Sequence, residues 1–220
     1  MSLGSAAGLP DMPNDVWPLV HAERRALIAD LETLDEAQWV QPSLCDGWSV
    51  HDVAAHMVDV ATTTRLGFVA AMAKARFDFD RQNAHGIERA RGASAQQTLQ
   101  RLREAAARTS TPPAPLDTRI VEEVLHGEDI RRPLGFTREY PMEAVVRALR
   151  HQARMSASFG GAKDLVKRIR IVATDADVAL GSGSQVRGPA LALLLAISGR
   201  RVALDELDGP GVAEWRVAPR

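Results

Sequence analysis

This 220-residue sequence has little of several features that mark specialised protein classes. Its one cysteine, Cys45, excludes an intrachain disulfide and a cluster of thiolate metal ligands. The longest apolar run, from Ala190 to Ile197, is far shorter than the roughly 20 residues that span a bilayer. With 27 basic and 28 acidic residues the formal net charge is -1, so nothing indicates a nucleic-acid partner. We therefore expect neither a membrane span nor nucleic-acid binding, and histidines and carboxylates must hold any metal.

The composition is typical of a globular protein with a sizeable core, at 45% hydrophobic and 25% charged residues. The N-terminal stretch is polar and lacks the apolar segment of a signal peptide. We interpret residues 1–13 as a disordered leader and expect the protein to be cytoplasmic.

Hydrophobic residues recur at helical spacing from residue 14 to residue 158. Start and stop signals predict five helices in this region. Residues 77–92 have no clear period and are interpreted as a connection. This pattern predicts a mainly α fold, an up-and-down four-helix bundle with a fifth helix packed on it. The predicted helices start near Asp15, Ser49, Ser94, Asp117 and Pro141 and end near Leu34, Arg76, Thr109, Pro133 and Ser156.

The pattern changes to period 2 after Gly160 and Gly161, which predicts a small α+β domain over residues 162–220. We expect strands at 168–173 and 177–180, a flexible loop at 181–184, a buried helix after Pro189 and a short strand at 212–217. A unit of about 55 residues with one buried helix is marginal by itself, so we expect it to pack on the bundle.

The helix that starts at Asp117 has two carboxylates and an imidazole on one face. Glu122, His126 and Asp129 lie at i, i+4 and i+7, within an arc of roughly 60°. A carboxylate and an imidazole one turn apart can share a metal ion, but they can also form an ordinary solvated pair. The helix by itself leaves both interpretations open.

His56 is predicted to point inward, because it borders the apolar stripe that contains Val53 and Val60. It is therefore either a core histidine with satisfied hydrogen bonds or a ligand. His51 lies about 140° around the same helix and is expected to be exposed. Trp39 and Trp48 are interpreted as anchors of the loop between the first two long helices, and His85 as a surface residue.

Three segments resemble one known family: PSLCDGWSVHDVAAHMVD, EEVLHGEDIRRPLG and RIVATDADVALGSGSQVRGPALALLLAISGR. They are similar to the actinobacterial mycothiol-dependent maleylpyruvate isomerase-like family, part of the DinB-like superfamily, over nearly the whole chain. The resemblance implies a four-helix bundle that binds a divalent metal, usually zinc, and a small C-terminal domain. It implies the ligands His56, Glu122 and His126. It provides no matched position for a catalytic arginine.

Two imidazoles and one carboxylate would leave a coordination position open, as in catalytic zinc sites. With mycothiol or a similar low-molecular-weight thiol as co-substrate, the metal would hold a thiolate that attacks a small electrophile. The expected activity is that of an isomerase or an S-transferase, and the alternative is a non-catalytic metal-binding or sensor protein. The same three ligands also suit nickel or another divalent ion. The sequence leaves open whether the protein forms a homodimer. Asp129 either orients His126 or forms a salt bridge with Arg131 or Arg132.

Overall fold

The computed structural model describes residues 15–217, so the predicted leader lies outside the described residues. The described part contains ten α-helices, three strands and two short 3-10 segments. The helices are α1 Trp17–Leu31, α2 Glu36–Trp39, α3 Val50–Thr62, α4 Arg65–Lys74, α5 Phe79–Ala90, α6 Ala95–Ala105, α7 Asp117–Arg131, α8 Met142–Arg154, α9 Ala190–Ile197 and α10 Pro210–Val217. The strands are β1 Ile169–Ala173, β2 Ala179–Leu180 and β3 Ser184–Gly188, and the 3-10 segments are Ala157–Phe159 and Arg201–Glu206.

Helices α1, α3, α6 and α7 pack on one another as the bundle, and α8 packs on the outer side of α7. One apolar cluster fills the interior between α1, α3, α6 and the end of α7. The arrangement confirms the predicted class, a helical bundle followed by a small α+β unit. Among the described residues, no helix combines the length and the apolar character that crossing a membrane requires.

Side-chain caps start several helices where the sequence predicts them. Ser49 accepts a hydrogen bond from the backbone N–H of Asp52, whose carboxylate accepts one from the N–H of Ser49. Helix α7 starts at Asp117 as predicted, but Leu116 occupies its N-cap position and no side chain caps it. The carboxylate of Asp117 instead accepts two hydrogen bonds from Arg147 of α8, at 3.0 and 2.7 Å.

The single long helix predicted from Ser49 to Arg76 is wrong, because α3 ends at Thr62. Thr63 has extended backbone angles, and the hydroxyl of Thr64 accepts a hydrogen bond from the N–H of Gly67 to start α4. Threonine hydroxyls compete with the helical hydrogen-bond ladder, and a run of three threonines favours such a break. Thr64 is therefore exposed and lies outside the core.

The predicted connection at residues 77–92 is also wrong, because most of it forms α5. Asp78 caps this helix by accepting a hydrogen bond from the N–H of Arg81. Its buried face is short and partly polar, made of Gln82, Gly86, Ile87 and Ala90. Gly86 permits close contact with α3, since a Cβ there would lie 2.5 Å from Oδ2 of Asp59. The low hydrophobicity of this face explains why the helix has no clear period.

The C-terminal unit is a three-stranded sheet in the order β2-β1-β3. β1 pairs antiparallel with β2 and parallel with β3, in a register that places Ile171 beside Leu180 and Val186. The predicted first strand is confirmed, but the glycine-rich segment is a loop only up to Gly183, after which it forms β3. The strand predicted at 212–217 is wrong, because these residues belong to α10.

The sheet and α9 share a core with the bundle. One apolar cluster contains Val124 of α7, Leu149 of α8, Ile171 of β1 and Leu194 of α9, all nearly inaccessible to solvent. A buried hydrogen bond from Nε2 of Gln152 to the Ser198 hydroxyl, 3.1 Å long, joins α8 to the end of α9. The C-terminal unit therefore packs directly on α8. The domain boundaries at residues 158 and 162 stay a prediction.

Candidate metal centre

Helices α3 and α7 bring His56, Glu122 and His126 together. Oε2 of Glu122 lies 3.4 Å from Nε2 of His56 and 3.2 Å from Nε2 of His126. The ligand atoms of the three residues all lie within 4.8 Å of one another. The two imidazole rings meet edge to face, with centroids 4.7 Å apart. The structure thus groups the three side chains that the resemblance implies as ligands.

The separations of these atoms are suited to a small divalent ion. In a tetrahedral zinc site with bonds of about 2.0 to 2.1 Å, neighbouring ligand atoms are about 3.3 Å apart. The two distances from Glu122 to the imidazole nitrogens agree with that spacing. Two imidazoles and one carboxylate form a donor set typical of zinc and nickel. The three residues therefore fit the implied metal.

Asp129 contacts the candidate ligand His126. Its Oδ2 lies 2.8 Å from Nδ1 of His126, and because a carboxylate only accepts, Nδ1 carries the proton. This contact directs the other ring nitrogen, Nε2, toward Oε2 of Glu122, 3.2 Å away. The alternative, a salt bridge from Asp129 to Arg131 or Arg132, is not formed, because Arg131 pairs with Asp30 and Arg132 with Glu128 and Glu206.

The pKa values of the three side chains are shifted from their ordinary values. Burial lowers the pKa of His56 below its ordinary value. Burial would raise the pKa of Glu122, but hydrogen bonds with both imidazoles bring it well below the usual range. Burial would also lower the pKa of His126, but Asp129, Cys45 and Glu122 together raise it well above the usual range. These shifts favour a protonated His126 and an ionised Glu122 in metal-free protein.

Two further residues at this site were missed by the sequence analysis. Cys45 donates from Sγ to Oδ2 of Asp129 at 3.0 Å, and Sγ lies 3.7 Å from Nδ1 of His126. Arg200 donates from Nε to Oδ1 of Asp129 at 2.9 Å and from Nη2 to Oδ2 at 2.5 Å. Arg200 follows Gly199, whose φ of +89° turns the chain at the end of α9. The one sequence signal for Arg200 is its position directly after a glycine that ends an apolar run.

Cys45, His126 and Asp129 form a second group whose atoms are close enough for a metal. Both oxygens of Asp129, however, already accept hydrogen bonds from the Arg200 guanidinium. A second cation there would be repelled by this arginine. The group that contains His56 and Glu122 is thus the better candidate.

The structure also tests the predictions that Trp39 and Trp48 are anchors and that His51 is exposed. Trp39 is buried in the apolar cluster of the bundle and Trp48 packs against the same cluster, so both act as anchors, as predicted. The Trp48 ring also lies 5.2 Å from His56 and 6.3 Å from His126 between centroids. The predicted exposure of His51 is wrong, because its Nε2 lies 2.7 Å from the Thr98 hydroxyl in a buried contact. Helix α6 covers this face of α3.

The candidate metal centre opens into a cavity of about 870 Å³ between the bundle and the C-terminal unit. Its walls include Cys45 and Trp48 from the loop before α3, and Arg200 after α9. Helices α7 and α8 form one side of it. A cavity of this size can enclose most of a small organic ligand.

Comparisons with known proteins place the chain in a family. Residues 20–149 match the family described as the mycothiol maleylpyruvate isomerase N-terminal domain, and this match covers more than half of the chain. The chain therefore belongs to that family. Two similar solved structures are a mycothiol-dependent maleylpyruvate isomerase and a mutant of it, at 14% and 13% identity. Each has a TM-score of 0.64, covers 88% of this chain and 91% of the other, and shows a shared fold. The search of curated proteins found no match.

Proposed function

We propose that this protein is a metal-dependent isomerase that uses mycothiol, or a closely similar thiol, to isomerise a small conjugated electrophile. The observation that carries this proposal is the convergence of His56, Glu122 and His126 in the wall of a ligand-sized cavity. Family membership supports it. The named activity of the two similar structures supports the choice of thiol and of substrate class.

The residues around the centre have separate roles in this proposal. A divalent ion, zinc or nickel, held by the three ligands would stabilise the thiolate form of a thiol near neutral pH. Asp129 keeps the proton of His126 on Nδ1, so that Nε2 presents its lone pair. Arg200 lines the same cavity beside Asp129 and would provide positive charge for a substrate oxygen that becomes anionic.

The reaction balances without an oxidant or a reductant. The thiolate sulfur forms a bond to one carbon of a cis carbon-carbon double bond, and the displaced electron pair moves onto the conjugated carbonyl oxygen. The former double bond is now single and rotates. When the pair returns, the carbon-sulfur bond breaks, the trans double bond forms and the thiolate is regenerated. An S-transferase would instead protonate the adduct and release it.

The test is incubation of metal-loaded protein with mycothiol and maleylpyruvate, with the substrate and free thiol both quantified. The proposal predicts that the trans isomer accumulates while the thiol concentration stays constant, and that a chelator stops the reaction. Stoichiometric loss of thiol would identify a transferase instead. If metal-loaded protein converts nothing, the catalytic proposal is wrong and a non-catalytic metal-binding protein becomes the better description.

His126→Ala and His85→Ala form a matched pair for this assay. His85 lies on α5 outside the cavity lining, so its replacement changes histidine content without touching the site. Activity should disappear in the first variant and persist in the second.

A further inference from the structure

A buried arginine, Arg119, lies one turn before the candidate ligand Glu122 on α7. Only 5% of Arg119 is exposed. Its Nη2 lies 3.7 Å from Oε1 of Glu122, an ion pair between residues three apart on one helix. The neighbouring residues Thr118 and Val121 line the cavity with Glu122, whereas Arg119, among the described residues, does not line it. A molecule in the cavity therefore contacts Glu122 but not the guanidinium behind it.

The two carboxylate oxygens of Glu122 face different partners. Oε2 lies 3.4 Å from Nε2 of His56 and 3.2 Å from Nε2 of His126. Oε1 is the oxygen that pairs with Arg119. A carboxylate can bind a metal ion through one oxygen or through both. Because Arg119 attracts Oε1, the carboxylate directs Oε2 toward the two imidazoles.

Arg119 is also attached to the helix that carries His56. Its Nη1 donates to the backbone carbonyl of Val60 at 3.3 Å, and its Nε donates to the Thr118 hydroxyl at 3.3 Å. Helix α3 ends at Thr62, so Val60 belongs to its last turn, where carbonyls lack helical partners and a cation is favoured. His56 lies one turn earlier. Arg119 thus connects the end of one ligand-bearing helix to the carboxylate of the other.

The next carboxylate along α7, that of Glu123, has a different arginine. Nε and Nη2 of Arg24 donate to Oε1 of Glu123 at 2.9 and 2.7 Å. Arg24 is 1% exposed, so it is as deeply buried as Arg119. It pairs with a carboxylate that is not a candidate ligand. Replacement of Arg24 is therefore a matched control for replacement of Arg119.

We propose that Arg119 is a positioning residue of the candidate metal centre, which holds Oε1 of Glu122 so that the carboxylate binds a divalent ion through Oε2 alone. Binding through one oxygen keeps a coordination position open for the sulfur of a thiol. This inference rests on the proposed function for its metal ion. It does not depend on the reaction, so it can be tested without a substrate.

The test uses cobalt(II) as the probe, because its visible absorption weakens as the number of ligands rises. The full chain is titrated with cobalt(II) in the presence of a competing chelator. Arg119→Met removes the charge and frees Oε1, so the absorption per bound ion should decrease and the affinity should fall about tenfold. Arg119→Lys retains a cation and should keep the spectrum and an affinity within about threefold of the unmodified protein.

The control variant separates positioning from general packing. Arg24→Met removes an equally buried cation and should lower stability, but it should leave the cobalt spectrum and the affinity unchanged. If Arg24→Met causes the same changes as Arg119→Met, loss of packing explains both and the inference is overturned. Unchanged spectrum and affinity in Arg119→Met would also overturn it.

An isomerisation assay on the same samples separates this inference from the proposed function. If the unmodified protein binds cobalt(II) without isomerising maleylpyruvate, and Arg119→Met changes the spectrum, the inference stands and the function fails. If the protein isomerises the substrate but Arg119→Met has an unchanged spectrum and affinity, the function stands and the inference fails.

Circular dichroism decides which variant is used. If Arg119→Met loses helical signal, Arg119→Gln replaces it, because an amide retains a donor for the Val60 carbonyl but has no charge for Glu122. Its cobalt spectrum should change in the same direction as that expected for Arg119→Met. An unchanged spectrum in a folded Arg119→Gln overturns the inference.

Discussion

Arg200 and Asp129 form a two-point ion pair between the C-terminal unit and α7, with hydrogen bonds of 2.9 and 2.5 Å. Asp129 is fully buried, and the same Oδ2 that accepts from Arg200 also accepts from His126. Burial would raise the pKa of Asp129, but Arg200 and His126 hold it well below the usual range. One carboxylate therefore links the packing of the C-terminal unit to the orientation of a candidate metal ligand.

Asp129→Asn should weaken both the packing of the C-terminal unit on α7 and the orientation of His126. Loss of the charge leaves the Arg200 guanidinium, which is only 15% exposed, without its counter-ion, and we expect the free energy of unfolding to fall by about 3 kcal/mol. Loss of the orienting carboxylate should reduce metal affinity about 10- to 100-fold. Urea unfolding and metal titration measure the two effects. Asp164→Asn, at an exposed pair with Lys167, is the control and should change neither. Unchanged metal affinity in Asp129→Asn would contradict the orienting role.

His126→Ala should abolish metal binding at little cost to the fold. Only His56 and Glu122 remain as ligands, and affinity should fall by several orders of magnitude. The bundle is stabilised by its apolar core, so the variant should stay helical and soluble. Elemental analysis and circular dichroism test this prediction. A variant with normal metal content would show that Glu122 and His126 are only an ion pair, and an unfolded variant would make the ion structural.

Substitution of Cys45 distinguishes the two overlapping ligand groups. We expect Cys45→Ser to keep its metal, because Sγ donates to Asp129 and the assigned ligands are His56, Glu122 and His126. His56→Ala should lose the metal. The opposite pattern, loss with Cys45→Ser and retention with His56→Ala, would show that the metal binds to Cys45, His126 and Asp129.

His51 should make stability depend on pH. Burial lowers the pKa of His51 in the folded protein below the unfolded value of about 6.5. The folded state therefore disfavours the proton: stability is complete above about pH 6.5 and is lost as the pH falls below that value. In His51→Gln, which keeps a hydrogen-bonding group near Thr98, unfolding free energies at pH 7.5 and pH 5.5 should differ less than in the unmodified protein. An equal difference in both proteins would contradict this prediction.

Local patterns in the sequence were sufficient for the bundle and for one face of the candidate site. Glu122, His126 and Asp129 share a face because helical periodicity places residues four and seven apart together in any helix. The inward direction of His56 follows from its place in the apolar stripe of α3, and it is buried as expected. These features depend on residues that are close in the chain, so the sequence contains them directly.

Tertiary contacts decided the rest. Arg200 lies 71 residues from Asp129, and only the packing of α9 on α8 brings it to the site. The burial of His51 depends on α6, and α5 packs on α3 through a short, partly polar face that includes the close approach of Gly86 to Asp59. Pairing with β1 converts part of a glycine-rich segment into β3. The sequence by itself determined where most of the bundle helices begin and which face of α7 carries the ligands. Long-range packing decided the break after α3, helix α5 and the charges around the ligands, because those contacts join residues that no local period relates.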